Sequence, residues 1–251
     1  MDAKKRKYFQ SRYPRSLRPT SDISFLVYSL KIWDALKQYI HDNQVIVDLG
    51  CGAGILIFNL LEEAKKYLNC QVFGFDFSEE SILLSRQFCP GAVFKVGDVL
   101  HTGFADKSFD IVCSTMTIEH LDDELFLREA ARIIKPKGIL FLSTVMRSKG
   151  AWYYLKDKNG QVVLDCTHLR EYRHPQELIA RLNAHGFAIR LLDTPRIKFS
   201  ILDFILLRLA RLTRLGCLLD MAACSLKVRL RRLMKIPIPG YFAIELIAQK
   251  Q

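Results

Sequence analysis

Several features are missing from this chain of 251 residues, and each absence excludes something. No run approaches ~20 uncharged apolar residues, so no membrane-spanning helix is expected. No apolar stretch follows the charged start MDAKKRKYFQSRYPRS, so a secretory signal is not expected and the reading is cytoplasmic. The seven cysteines, at 51, 70, 89, 113, 166, 217 and 224, are odd in number and never reach CxxC spacing. That argues against a disulfide framework or a structural zinc site and for buried thiols in a reducing compartment. No internal repeat is present. Acidic residues are outnumbered, 26 against 37 Lys and Arg, but the excess is local. Residues 1–18 carry +6 and residues 196–235 carry +8, which leaves a mildly acidic body. Electrostatic contact with a partner is therefore expected at the two basic segments.

What is present is a hydrophobic content of 50% and an alternation of strand and helix signals, the pattern of one α/β domain with a full core. A first helix is predicted within 21–40, opened by Ser21 and Asp22. Apolar strands are predicted at 44–50, 71–77, 92–99, 109–115, 139–145, 187–194 and 241–248. Helices are predicted at 55–68, from 78 to about 88, from about 122 to 134 and at 174–187, with KPKG (135–138) as a turn. Continuous apolar strands between helices imply a parallel sheet covered on both faces. The long connection 146–174 holds Trp152, Tyr153, Tyr154 and Tyr172, and it leaves the carboxyl end of a parallel strand, where an α/β protein builds its substrate pocket.

Chemistry is concentrated at VDLGCGAGI (47–55). A strand running into Gly50, Gly52 and Gly54 and then into a helix can bring bare backbone amides against a ligand. A dinucleotide fingerprint would want a small residue at 55 or 57, and both are isoleucine; Asp48 beside the loop also disfavours a phosphate. An acidic strand end suits a cationic ligand better. Asp76 closes the second strand, where a carboxylate can accept from a ribose diol, and Asp98 closes the third, in reach of the same crevice.

With VDLGCGAG (47–54), FGFDFS (73–78), VGDV (96–99), FADKSFDIVCSTMTIEHL (104–121) and ARIIKPKGILFLSTV (131–145), the chain resembles the class I S-adenosylmethionine-dependent methyltransferases over roughly residues 25–194 and the final strand. The resemblance implies a doubly wound, Rossmann-like, seven-stranded α/β sheet, mostly parallel with the last strand antiparallel, here with an N-terminal helix and a helical insertion before the last strand. It implies S-adenosylmethionine as cofactor. Gly50, Gly52 and Gly54 would receive its methionine part with Asp48 beside them, Asp76 the ribose hydroxyls, and Asp98 with the Val99 amide the adenine. Phe77 would pack on the adenine face and Ser114 would offer a backbone carbonyl to the amino group. The division expected is a basic segment 1–20, a methyltransferase domain 21–194 plus 241–251, and a basic amphipathic insertion 195–240.

Methyl transfer needs in-line alignment, exclusion of water and, for a protonated nucleophile, a base. The candidates are Glu119 and His120 just past the fourth strand, and His168 in THLREY (167–172). Each has a plainer role open to it: cofactor packing or helix capping for the first two, a structural hydrogen bond for His168. Some similar methyltransferases place a Glu three residues before such a Glu-His pair to hold a divalent ion; that place is Met116 here, and no metal is expected. Two other classes stay open, an NAD-dependent oxidoreductase and a non-catalytic cofactor-binding scaffold.

Residues 196–235 lack the interleaved aromatics of a nucleic-acid binder and are rich in Leu, Ile, Arg and Lys. On a helical projection, Asp203, Arg208, Arg211 and Arg214 share one side and Ile201, Leu202, Ile205, Leu206, Leu209 and Leu212 the other. That is the pattern of a helix lying at an anionic membrane interface; a pocket cap or a subunit contact is the alternative. The expected substrate is a small or amphiphilic molecule such as a lipid-linked glycan, a polyprenyl or quinone intermediate, or a lipid. The enzyme would then work in the cytoplasm or peripherally at the inner face of the membrane.

Overall fold

A computed structural model describes residues 29–151, 155–156, 162–165, 167–200 and 235–251. The basic N-terminal segment, Trp152 to Tyr154 and the amphipathic stretch 201–234 lie outside the described residues.

The strands are β1 (Val45–Leu49), β2 (Gln71–Asp76), β3 (Val93–Val96), β4 (Phe109–Thr115), β5 (Ile134–Arg147), β6 (Leu155–Lys156), β7 (Val162–Val163), β8 (Phe187–Asp193), β9 (Arg196–Ser200) and β10 (Lys235–Lys250). The α-helices are α1 (Leu30–Lys37), α2 (Ile55–Ala64), α3 (Glu79–Phe88), α4 (Asp123–Ile133) and α5 (Pro175–Ala184), with a short 3₁₀ turn at Ile118–His120. The main sheet has the order β3-β2-β1-β4-β5-β10-β8, and β9 pairs with β10 off that path. The β1, β2, β3, β4 and β5 pairings are parallel, while β10 runs antiparallel to β5, β8 and β9.

Two apolar layers cover the sheet. On one face, alternate strand residues such as Val47, Val112, Leu140 and Leu246 pack under α4 and α5 through Phe126, Leu127, Leu178 and Leu182. On the other, Ile46, Ile111, Cys113 and Ile247 pack under α1, α2 and α3 through Ile32, Leu36, Leu56, Leu60 and Ile82. Period-two alternation within uniformly apolar strands is what a two-sided burial demands. Helix starts are held by side chains: Ser78 Oγ accepts from the Ser81 amide, Asp122 Oδ1 from Leu125, and Glu177 from the His174 amide, with Pro175 at the first turn of α5.

Three expectations are corrected. KPKG is not a turn but the start of the long β5, and the irregularity it causes is a register shift against β4 with Lys137 in the left-handed region (φ 64°). Turn chemistry is spent on a bulge here. The flanks of the 195–240 segment are strand, not helix: Lys235 pairs with Ser200 and Pro237 with Lys198, so β9 and the first half of β10 form the stem from which 201–234 departs. Because β10 runs antiparallel to β5 and Tyr241 sits opposite Arg147, this stem overhangs the carboxyl end of β5. Tyr172 does not open into the pocket; it is fully buried in the core and its hydroxyl donates to Asp123 Oδ2 at 2.9 Å.

Candidate active site

The loop between β1 and α2 is built on three left-handed glycines, Gly50 (φ 80°), Gly52 (φ 51°) and Gly54 (φ 84°). A Cβ on Gly50 would stand 2.3 Å from Thr117 Oγ1, and one on Gly54 would stand 3.0 Å from Ser85 Oγ. The glycines therefore serve first to let the loop dock on the turn after β4 and on α3, in addition to the ligand approach the sequence pointed to. The loop is tied down by its own amides. Gly50 and Cys51 donate to the Phe75 carbonyl at 2.7 and 3.1 Å, and Gly52 donates to Asp76 Oδ2 at 2.8 Å. Asp76 Oδ1 accepts from the Ser78 amide at 2.8 Å, so the carboxylate is clamped from both sides.

A pocket of about 880 Å³, partly open to solvent, lies over this loop. Its wall includes Gly50, Asp76, Phe77, Asp98, Val99 and His120, six of the residues the sequence nominated. Gly52 and Gly54 shape the loop without lining the pocket, and Asp48 is buried beneath it. Ser114 is buried within β4, its hydroxyl donating to the Leu49 carbonyl at 2.8 Å; the pocket wall at that edge is Thr115, Met116 and Thr117. Met116 was missed as a wall residue. It holds φ 51°, rare for a side chain of its size, with its amide fixed to the Ser143 carbonyl at 2.9 Å, and it packs against the buried cluster of Val145, Ile197, Ile238, Tyr241 and Ala243. The stem of the 201–234 segment thus rests on a residue of the pocket wall.

Charge decides what the pocket suits. Two carboxylates face it and no Lys or Arg lines it among the described residues. A pyrophosphate would meet repulsion there, whereas a cationic nucleoside fits. Asp48 adds to this: it is 1% exposed, one carboxyl oxygen has no hydrogen-bond partner among the described residues, and burial followed by the Asp76 charge holds its pKa well above the usual carboxylate range. Burial also raises Asp76, against the pull of the Ser78, Gly52 and Phe77 amides. An uncompensated acidic floor is satisfied by a bound cation. The thiols are spectators, since burial raises Cys51 and Cys113 well above the ordinary value and Cys89 to about 11.

The acidic floor sets a pH dependence. The pKa of each of these carboxyls is raised on folding, so their burial penalty on the ligand-free protein is relieved as pH falls through the folded values. Cofactor affinity moves the other way, because the ionised forms accept hydrogen bonds and attract positive charge. Calorimetric titration with S-adenosylhomocysteine is expected to show affinity falling as pH is lowered, with the fall setting in above the range where ordinary carboxylates titrate. A flat profile would count against the Asp48 and Asp76 assignment.

Beyond the pocket lie the three candidates for chemistry. Glu119 and His168 are buried behind His120, which reaches the pocket wall. The Glu119 carbonyl accepts from the Leu169 and Arg170 amides at 2.7 and 3.2 Å, which staples the THLREY segment onto the 3₁₀ turn. The sequence nominated Glu119 and His120 as a pair and His168 apart from them, and the fold brings the three together: one ligand atom from each lies within 4.8 Å of the others. Their supports were missed. Thr144 Oγ1 donates to Glu119 Oε2 at 3.0 Å, His168 Nδ1 lies 2.7 Å from Glu171 Oε1, and His120 Nδ1 lies 3.0 Å from Thr167 Oγ1. Of these, only the His168-Glu171 spacing of three was visible in the sequence. Burial raises the Glu119 carboxyl despite the opposing pull of His168.

Residues 47–142 match the family model described as a methyltransferase domain. The chain carries a methyltransferase domain over these residues. Among curated relatives, the domain is 32% identical over 108 residues to the ubiquinone biosynthesis O-methyltransferase of Sinorhizobium fredii, covering 41% of this chain and 42% of that protein. It is 25% identical over 173 residues to the protein of the same name from Pelagibacter ubique, covering 64% and 68%. In several of these relatives the match spans less than half of their length. Among solved structures, the YcgJ protein of Bacillus subtilis superposes with a TM-score of 0.60 at 18% identity over 89% of this chain and 99% of that one. Haemonchus contortus phosphoethanolamine N-methyltransferase 2, solved with S-adenosylhomocysteine, gives 0.56 at 16% over 88% and 52%. At these identities the structural neighbours attest the fold. The glycine loop and the acidic strand ends of the pocket described above are residues that fit a nucleoside with a positive charge.

Proposed function

We propose that the protein transfers the methyl group of S-adenosylmethionine to a hydroxyl oxygen of an amphiphilic small molecule of the quinone or polyprenyl type. The observation that carries this reading is the convergence of a pocket with acidic walls and the Glu119, His120 and His168 cluster at the carboxyl edge of the sheet. Bound there, the cofactor supplies a sulfonium methyl. Asp76 takes the ribose hydroxyls, Asp98 and Val99 the adenine, and Phe77 packs on its face. Gly50, on the pocket wall, takes the methionine end, with Asp48 beneath the loop adding negative charge. The cluster receives the substrate hydroxyl and removes its proton as the oxygen attacks, and the sulfur leaves as a neutral thioether. Transfer to oxygen is favoured because the curated relatives are named O-methyltransferases and because a buried group of proton acceptors is what an alcohol or phenol nucleophile needs.

The amphiphilic substrate and the membrane surface rest on residues 196–235. The described stem of that segment overhangs the strand ends beside Met116, so a basic, apolar stretch departs from the substrate side. No helix among the described residues is long and apolar enough to cross a membrane. Contact with anionic head groups through this stretch is the mode proposed.

The test is methyl transfer from labelled cofactor to a panel holding a prenylated dihydroxybenzoate, its unprenylated parent, phosphoethanolamine and a lipid-linked glycan. Labelling of the prenylated phenol, stronger than of its soluble parent and enhanced by anionic vesicles, is expected. Labelling of phosphoethanolamine alone overturns the O-transfer reading.

A further inference from the structure

We infer that Met116 is the specificity-determining residue of the acceptor site: an apolar substituent of the substrate packs along its side chain, toward the apolar cluster under the stem of the 201–234 segment. The inference rests on the methyl-transfer reading above and concerns the part of the acceptor that does not react.

Met116 stands where two regions meet. It is half-buried, lines the pocket between Thr115 and Thr117, and belongs at the same time to the cluster of Val145, Ile197, Ile238, Tyr241 and Ala243. Other apolar wall residues are committed elsewhere. Val99 and Leu121 are packed into the core beneath α4 and α5, and Cys51 into the core beneath α1, α2 and α3. The cluster that Met116 joins is smaller, built by the stem strands and the end of β5, with Ala151 and Leu164 of the following connection packed against it.

The backbone fixes this placement. A φ of 51° persists at a methionine only where the surroundings over-determine it. Here the Met116 amide donates to the Ser143 carbonyl at 2.9 Å and the Thr117 hydroxyl to the Thr115 carbonyl at 3.1 Å. Thr117 also sits so close to the glycine loop that a Cβ on Gly50 would stand 2.3 Å from its Oγ1. The turn 115–117 is thus wedged between the cofactor loop and the stem cluster, and what an acceptor meets there is set by the Met116 side chain. That side chain is unbranched and polarizable, adapts to an alkyl or alkenyl chain, and offers only a weak acceptor to a hydrated group. A polar substituent placed against it loses water without compensation, while an apolar one gains by burial. Selection follows from that difference.

The experiment compares the prenylated dihydroxybenzoate with its unprenylated parent on the full chain. Binding is measured by calorimetry with S-adenosylhomocysteine present, and turnover with labelled cofactor. Met116→Gln keeps an unbranched chain and makes it polar, Met116→Asn is a second polar variant suited to a left-handed backbone, and Met116→Leu stays apolar. The preference for the prenylated acceptor, read as the ratio of the two Kd values and of the two kcat/KM values, is expected to fall at least ~10-fold in both polar variants and to stay within about threefold in Met116→Leu. A general loss of stability or cofactor affinity moves both acceptors together and leaves the ratio alone, and either polar variant suffices if the other does not fold. A wild-type ratio in the polar variants overturns the inference, as does a wild type that binds the two acceptors equally. The two readings fail separately. Methyl transfer with an unchanged ratio removes the role of Met116 alone, whereas prenyl-dependent binding that the polar variants lose, without transfer to any acceptor, removes the methyl-transfer reading and keeps Met116 as the apolar contact.

Discussion

Asp76→Ala is expected to weaken S-adenosylhomocysteine binding by about 100- to 1,000-fold, the largest binding loss expected at the site. The carboxylate is 6% exposed and anchors both the glycine loop and the start of α3 through Gly52 and Ser78. Removing it deletes the acceptor proposed for the ribose diol, and hydrogen bonds to a charged group contribute about 1.5–3 kcal/mol each. It also leaves two amides unpaired, so the loop loses the shape that receives the methionine end. Asp76→Asn separates the two effects. One amide oxygen can still accept from Gly52 or Ser78, and an intermediate loss is expected. Calorimetry on both variants checks this, with the melting temperature read alongside. Wild-type affinity in Asp76→Ala would relocate the cofactor.

Glu119→Gln is the second, and here turnover rather than binding should collapse. The amide is isosteric, its carbonyl can still accept from Thr144, and the backbone carbonyl that staples Leu169 and Arg170 is untouched. What disappears is negative charge where the proposed reaction has the nucleophile give up its proton, and such positioned groups contribute roughly 10²- to 10⁴-fold. Single-turnover methyl transfer should fall within that range while S-adenosylhomocysteine affinity stays within about threefold, because Asp76 and Asp98 are not in contact with the change. Equal loss of binding and rate would mean that Glu119 merely shapes the cofactor pocket; an unchanged rate would place the reaction elsewhere.

The cofactor half of this site was visible in the chain because its signals are local. A parallel sheet collects its strand ends at one edge, so acidic residues closing three successive strands had to meet beside the glycine loop. Gly50, Asp76, Asp98 and Val99 needed no tertiary information to be nominated. Even there the reason for glycine was only partly visible: the collisions a Cβ would make at 50 and 54 are with Thr117 and Ser85, which folding brings from other elements. The strand at 196–200 was hidden by a composition that suits an amphipathic helix, and pairing with β10 overrode local preference.

By itself, then, the sequence determined the α/β class, the order of the main strands and helices and the acidic crevice, which follow from hydrophobic period and residues close in the chain, while the cofactor came from the resemblance its motifs carry. Only the tertiary structure decided that Glu119, His120 and His168 are one cluster and that Glu171, Thr167 and Thr144 stand behind it. It also decided that Met116 is held in a strained turn under the stem of the basic segment. Those contacts join separate connections through two backbone hydrogen bonds and a packed core, and no periodicity records which distant side chains a closed sheet will set face to face.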